Sequence, residues 1–294
     1  MLDIFIPYWG DPGYMKETVR SVLAQDVDAW RLTVVDDAYP SHEIADFMSP
    51  LIGDRIRYIR KDSNEGITAN YRTCVALAQE TVMMMLGSDD RLLPNYVREV
   101  LAAHRRFPEA AIIHPRVEVI DETGSVVRTL ADAVKQRVVQ PGGRGVQVLA
   151  GERLVTSLLH GDWLYWPALA FRSDKIKATP FRDGFPLIQD LAIVLDMLFR
   201  GDSMVLTPTA AFQYRRHRAS ASSTTLVDGT RFDGERRYFT LAAETADELG
   251  WRTAGRAARL RITSRAHAAV LMPRAAAHHD LPALRSLARH ALGC

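Results

Sequence analysis

The sequence predicts an α/β chain, a mixed central sheet flanked by helices, followed by a helical C-terminal region. Its first half alternates short β-type apolar runs with amphipathic helical stretches, the pattern of a sheet covered on both faces. Three of those early runs end in polar clusters, where open parallel sheets gather ligands. From about Phe232 onward the β-type runs cease and helical periodicity takes over.

Strands are expected at residues 2–6, 32–36, 56–59 and 82–86. Between the first two, Asp11 can cap a helix with Pro12 in its first turn and Met15, Val19, Val22 and Leu23 on one face. Further helices are expected at 42–52, 67–79 and 94–107. Beyond Ala110 the alternation ends: a strand pair at 112–120 and 126–130 precedes a glycine-rich loop at 140–145. A helix at 152–160, a strand at 168–171, a helix at 191–200 and strands at 204–206 and 211–214 follow. Residues 218–225 read as a Ser/Thr-rich loop, and Pro273 and Pro282 as helix boundaries. These elements divide into a body at 1–228, in two halves at 1–110 and 111–228, and a helical extension at 229–294.

The 294 residues suffice to bury a substantial core. With 37 basic against 35 acidic residues, nucleic acid is not an expected partner. Cys74 and Cys294 are the two cysteines, which speaks against a disulfide framework or a cysteine zinc site and fits a reduced, cytoplasmic setting. No leader pattern or bilayer-length apolar run is present in the sequence. Arginine outnumbers lysine 32 to 5, a bias of GC-rich bacterial genomes.

The three polar strand ends carry Pro7, Tyr8, Trp9, Gly10 and Asp11; then Asp36 and Asp37; then Gly87, Ser88, Asp89 and Asp90. None holds a Gly-x-Gly-x-x-Gly or Gly-Lys-Ser/Thr motif, which argues against NAD and ATP. Two acidic pairs at neighbouring strand ends repel unless protons, hydrogen bonds or a cation intervene, so a hard divalent metal is one expectation. Helix capping by Asp36 or Asp90 is the other.

The segments IFIPYWGD (4–11), SVLAQD (21–26), VVDDAYPS (34–41), NEGITANYR (64–72), MLGSDDRLLP (85–94), IQDLAIVLDMLFRGD (188–202) and FQYRRHRASAS (212–222), in that order and spacing, resemble the family-2-type inverting glycosyltransferases of the GT-A fold. The resemblance runs from Asp3 to about Ser222. It implies a UDP- or dTDP-sugar donor, an acceptor hydroxyl and a divalent cation, Mn2+ or Mg2+. Pro7, Tyr8 and Asp11 match the loop bordering the nucleotide. Asp37 matches the acceptor for the pyrimidine imide, which suits a carboxylate because it has acceptors and no donors. Asn64 and Asn70 match the turn and helix closing over the nucleotide, with a turn residue and a solvated helix residue as the plain alternatives.

Asp89 matches the metal carboxylate of the Asp-x-Asp motif. The first acidic position of that motif is Gly87 here, so Ser88 or a water would have to replace a ribose contact. Asp190 matches the general base that deprotonates the attacking hydroxyl. Gln189 stands before it where a glutamate is usual, and N-capping of the following helix is the alternative. His217 matches a late metal or diphosphate ligand. Arg215, Arg216 and Arg218 are candidate phosphate clamps or members of a solvated basic turn. Trp163 and Trp166 are candidate acceptor platforms or core residues.

Two rivals come from other classes. A non-catalytic nucleotide-sugar sensor or scaffold would explain the departures at Gly87 and Gln189. A sugar-phosphate nucleotidyltransferase would need a glycine-rich, Arg-containing opening loop, absent from residues 7–13. Finally, residues 251–294 hold eight arginines and one acid, Asp280. The helices there suit either peripheral contact with an anionic membrane or a plain cap packed on the catalytic domain. Donor sugar, acceptor and oligomeric state are not encoded in these spacings.

Overall fold

A computed structural model describes residues 1–127, 140–141, 143, 145–185, 187–216, 230–277 and 280–292. His217, Arg218, the Ser/Thr-rich loop and the expected strand beyond residue 127 therefore lie outside the described residues, as does part of the glycine-rich loop.

In chain order come β1 (Leu2–Tyr8), α1 (Pro12–Leu23), β2 (Trp30–Asp36), α2 (Glu43–Met48), β3 (Ile56–Arg60), α3 (Ile67–Leu77), β4 (Val82–Met85), β5 (Arg91–Leu92), α4 (Tyr96–Arg106) and β6 (Ile112–Ile120). Then follow β7 (Gln147–Ala150), α5 (Gly151–His160), β8 (Ala170–Arg172), α6 (Ser173–Lys177), α7 (Gln189–Phe199) and β9 (Ser203–Arg215). The chain closes with α8 (Thr230–Glu248), α9 (Arg252–Leu260), α10 (Ile262–Ala277) and α11 (Leu281–Leu292).

The sheet order is β3-β2-β1-β4-β8-β6-β9-β5, with β7 also on β9. β1 to β4 are mutually parallel, and β8 enters antiparallel on both its neighbours. The sheet is thus mixed, as the sequence predicts.

Strand alternation divides the core between two faces. Leu2, Ile4, Ile6, Leu32, Val34 and Met84 face a layer with α1, α2 and α4. Phe5, Val35, Met83 and Met85 face the other, with α3, α5 and α7. Tyr238, Phe239, Ala254 and Ala258 join this second core, so α8 and α9 pack against the sheet's own core. α10 and α11 make a smaller cluster around Phe232, Ala268 and Leu287.

Several elements differ from the sequence expectation. The strands expected at 204–206 and 211–214 are one continuous β9, since β6 follows it through register shifts at Pro115/Arg116 and Arg116/Val117. Val126 makes an isolated bridge to Ile120. β5, β7 and α6 are too short for periodicity to reveal. Leu23, at the last turn of α1, is exposed. Pro273 lies inside α10 instead of bounding it.

Candidate functional site

The polar strand ends converge because their strands are adjacent and parallel. Tyr8 stands opposite Asp36 in the β1–β2 register. The Leu86 N–H donates to the Phe5 carbonyl at 2.8 Å, which brings the end of β4 beside them. A Cβ on Gly10 would lie 3.2 Å from Ser88 Oγ, so the loop after β1 rests directly on the 87–90 turn.

Asp11 does what its position predicts locally: it caps α1, accepting from Tyr14 N at 3.0 Å. The Tyr8 hydroxyl donates to the Gly10 carbonyl at 3.1 Å, and its ring lies 5.1 Å from that of Tyr39. Trp9 meets Tyr39 edge-on at 5.4 Å. Tyr39 is placed by Ala38, whose φ of 60° is a left-handed conformation costly for a residue with a Cβ. Desolvation, followed by nearby Tyr39 and Asp36, pushes the Tyr8 hydroxyl pKa up.

Asp36 is a buried anchor. It accepts from Tyr39 N at 2.7 Å and Arg60 Nη1 at 2.8 Å, and from the Tyr58 hydroxyl. Asp37, 2% exposed, pins the loop before α3 by accepting from Glu65 N at 3.2 Å and Gly66 N at 2.9 Å. Lys61 Nζ pairs with it at 3.1 Å. A carboxylate offers about four acceptor positions, so about one remains for a further donor. Asn64 rides exposed on the loop that Asp37 holds. Asn70 is buried instead of solvated: Nδ2 donates to the Val35 carbonyl at 3.0 Å, while Oδ1 has no partner among the described residues.

On the 87–90 turn, Ser88 and Asp89 are half-buried and Asp90 is buried. Asp90 Oδ1 accepts from Arg215 N at 2.8 Å, and its Oδ2 has no partner among the described residues. Burial first, and Asp89 second, push the Asp90 carboxyl well above the usual range. A Cβ at Gly87 would stand 2.5 Å from Asp90 Oδ2, which gives the missing first carboxylate a physical reason.

Arg215 departs from the expected phosphate clamp. Its side chain is 0% exposed and its donors are spent internally. Nε bonds the Asp89 carbonyl at 2.7 Å, Nη1 the carbonyls of Glu122 at 3.1 Å and Asp121 at 3.3 Å, and Nη2 Glu17 Oε2 at 2.6 Å. The guanidinium also stacks 4.5 Å from the Tyr14 ring centroid. Arg215 is therefore the buried strut beneath the Asp89 turn.

Asp190 lies in the first turn of α7, whose N-cap is Ile188, so capping in the strict sense belongs to another residue. Its Oδ1 accepts from Leu191 N at 2.8 Å, at the helix end that favours negative charge. Tyr71, on α3, packs against the second core. After desolvation, Asp190 is the largest influence raising its hydroxyl pKa, Asp89 adds to it, and Trp166 opposes it. Sequence reasoning passed over Tyr71, whose signal is weak: a polar-tipped aromatic on the apolar face of α3 beside Cys74.

Both tryptophans are buried in the second core. Trp163, 1% exposed with Nε1 donating to Ser157 Oγ at 3.1 Å, is a core residue, which corrects its expectation as an acceptor platform: its ring has no open face. Trp166, 7% exposed, packs 5.7 Å from the Tyr71 ring and 5.2 Å from that of Phe171. Gln189 Oε1 has no hydrogen-bond partner among the described residues.

No three His, Cys, Asp or Glu side chains form a metal cluster among the described residues. Asp89, with the unpartnered oxygen of Asp90 beside it, fits the way magnesium-like ions bind, through one or two carboxylates plus substrate phosphates.

The family model of glycosyl transferase family 2 matches residues 3–153, from β1 through the start of α5. The chain belongs to this family. WcaA of Escherichia coli (strain K12), named as a colanic acid biosynthesis glycosyl transferase, is 31% identical over 115 residues, 39% of this chain and 41% of that protein. An uncharacterised glycosyltransferase of Rickettsia conorii is 28% identical over 193 residues, 65% of this chain and 30% of that one. The chain thus spans less than half the length of these relatives. The crystal structure of S. aureus TarS 1-349 in complex with UDP-GlcNAc superposes with a TM-score of 0.63 at 12% identity, covering 81% of this chain and 65% of that one. The fold of this family-2 chain is accordingly GT-A-like, with a helical C-terminal region.

Proposed function

We propose that this family-2 chain transfers a sugar from a UDP- or dTDP-sugar to an acceptor hydroxyl, with inversion, using Mn2+ or Mg2+. The observation that carries the reading is the convergence of Tyr8, Asp37, Ser88 and Asp89 at the carboxyl ends of the adjacent parallel strands β1, β2 and β4. Family membership and the GT-A-like fold support it, and TarS with UDP-GlcNAc supports a nucleotide-sugar donor.

In this reading Pro7, Tyr8 and Asp11 border the nucleotide, and Asp37 offers its remaining acceptor to the base. Asn64 and Asn70 belong to the segment that Asp37 holds over the donor, and Ser88 serves the ribose in place of a carboxylate at Gly87. Asp89 holds the cation, joined by His217 from outside the described residues. When bound, the cation would neutralise charge developing on the departing diphosphate. Asp190 takes the proton from the acceptor hydroxyl as it attacks the anomeric carbon opposite the leaving group. Trp166 and Tyr71 wall the space beside Asp190 and offer an aromatic surface to the reacting sugars.

Asp190→Asn tests the reading. The variant should bind UDP as the parent does and lose about 100- to 10,000-fold in turnover, the usual worth of a general base. Parental turnover with the acceptor would remove Asp190 as the base. Parental UDP binding with no donor cleavage by the unmodified chain, with or without manganese, would favour a sensor over an enzyme.

A further inference from the structure

α10 is apolar on both of its faces. Ala268 and Ala275 are buried, and Leu271 and Met272 pack against the cluster around Phe232 and Leu287. Ile262, Ala266, Ala269, Val270 and Pro273 occupy the opposite face and are all exposed, Ile262 at 62% and Val270 at 74%. Their spacing of four, three, one and three residues confines them to one stripe. α9 shows the complementary pattern: Ala254, Ala257 and Ala258 are buried, while Arg252, Arg256 and Arg259 form an exposed row in which Arg259 pairs with Asp247. Row and stripe meet at the corner where exposed Leu260 and Ile262 flank Arg261, whose left-handed φ of 48° turns the chain.

We propose that this α9–α10 corner docks on an anionic lipid membrane, with the α10 stripe entering the headgroup boundary and the arginines contacting lipid phosphates. Exposed apolar stripes beside arginines are how helices lie in a membrane interface. Residues 251–294 hold eight arginines and one acid, so the charge complements anionic lipid and opposes a second copy of the same surface. The stripe holds no aromatic anchor, which disfavours a protein hot spot. The inference does not depend on the proposed chemistry.

The test is co-sedimentation of the full chain with phosphatidylglycerol-containing vesicles and with phosphatidylcholine vesicles, at low and high salt. Most of the protein should pellet with the anionic vesicles at low salt and stay in the supernatant with phosphatidylcholine. An Ile262→Gln/Val270→Gln variant and an Arg252→Glu/Arg256→Glu variant should each lower anionic-vesicle partitioning at least tenfold while keeping the parental melting midpoint and UDP affinity. Full recovery of the parent in the supernatant overturns the proposal. So does undiminished pelleting of the Ile262→Gln/Val270→Gln variant. A concentration-dependent dimer that the same variant dissolves also overturns it, by assigning the stripe to self-association.

Discussion

Replacing Arg215 by methionine keeps most of the buried stem and removes the guanidinium. The structure allows the loss to be apportioned. The carbonyls of Asp89 and Glu122 lose donors at 2.7 and 3.1 Å, and that of Asp121 loses a longer one at 3.3 Å. Hydrogen bonds involving a charged group contribute about 1.5–3 kcal/mol each. The pair with Glu17 adds little, since Glu17 is more than a third exposed and solvent screening holds such pairs to about 1 kcal/mol or less. These terms are not additive, and breaking a buried charged network typically costs about 3–5 kcal/mol. At about 2–4 °C per kcal/mol for a chain of this size class, the melting midpoint should fall on the order of 10 °C. Urea and thermal unfolding of the ligand-free chain, beside calorimetric titration with UDP, measure both consequences. A midpoint within about 1 kcal/mol of the parent, together with a tenfold loss of UDP affinity, would refute the strut and restore the phosphate clamp.

Gly87→Asp should not restore a useful carboxylate. The new Cβ would meet Asp90 Oδ2 at 2.5 Å, so urea unfolding should show a loss of about 1–3 kcal/mol, with no gain in donor cleavage. Tyr71→Phe should stay within about 1 kcal/mol of parental stability yet lower kcat about tenfold at unchanged UDP affinity; an unchanged kcat would remove Tyr71 from the site. His290 provides a pH test in the helical region. Its pKa is lowered to about 4 by desolvation and then by Arg236, Arg261 and Arg265, while Nε2 lies 2.7 Å from Ser264 Oγ. The unfolded chain takes up this proton near pH 6.5, before the folded one does, so stability is full above about 6.5 and falls as pH drops towards 4. Hydrogen exchange of α11 between pH 7 and 4.5 should show the opening, and His290→Gln should flatten it.

Local pattern carried far along this chain. Short apolar runs and turn residues were enough to expect β1 to β4, of which β1 and β4 are buried on both faces and read as unbroken apolar runs, and the one-sided burial of α1 and α4 follows period 3.6. The order of strand-end motifs was enough to indicate the family. The C-terminal helices followed from periodicity, though Pro273 did not end α10.

Side-chain partnerships between distant segments were decided only by the tertiary structure. Arg215 and Asp89 lie 126 residues apart, and nothing in the local sequence distinguishes buried Arg215 from exposed Arg216. Trp163 and Trp166 read as candidate platforms in the sequence, yet both are buried in the same core, which only the packing of distant segments around them decides. Sequence periodicity specifies which face of an element is buried; which residue waits on the other side of that face depends on strand order and register, which only the folded chain fixes.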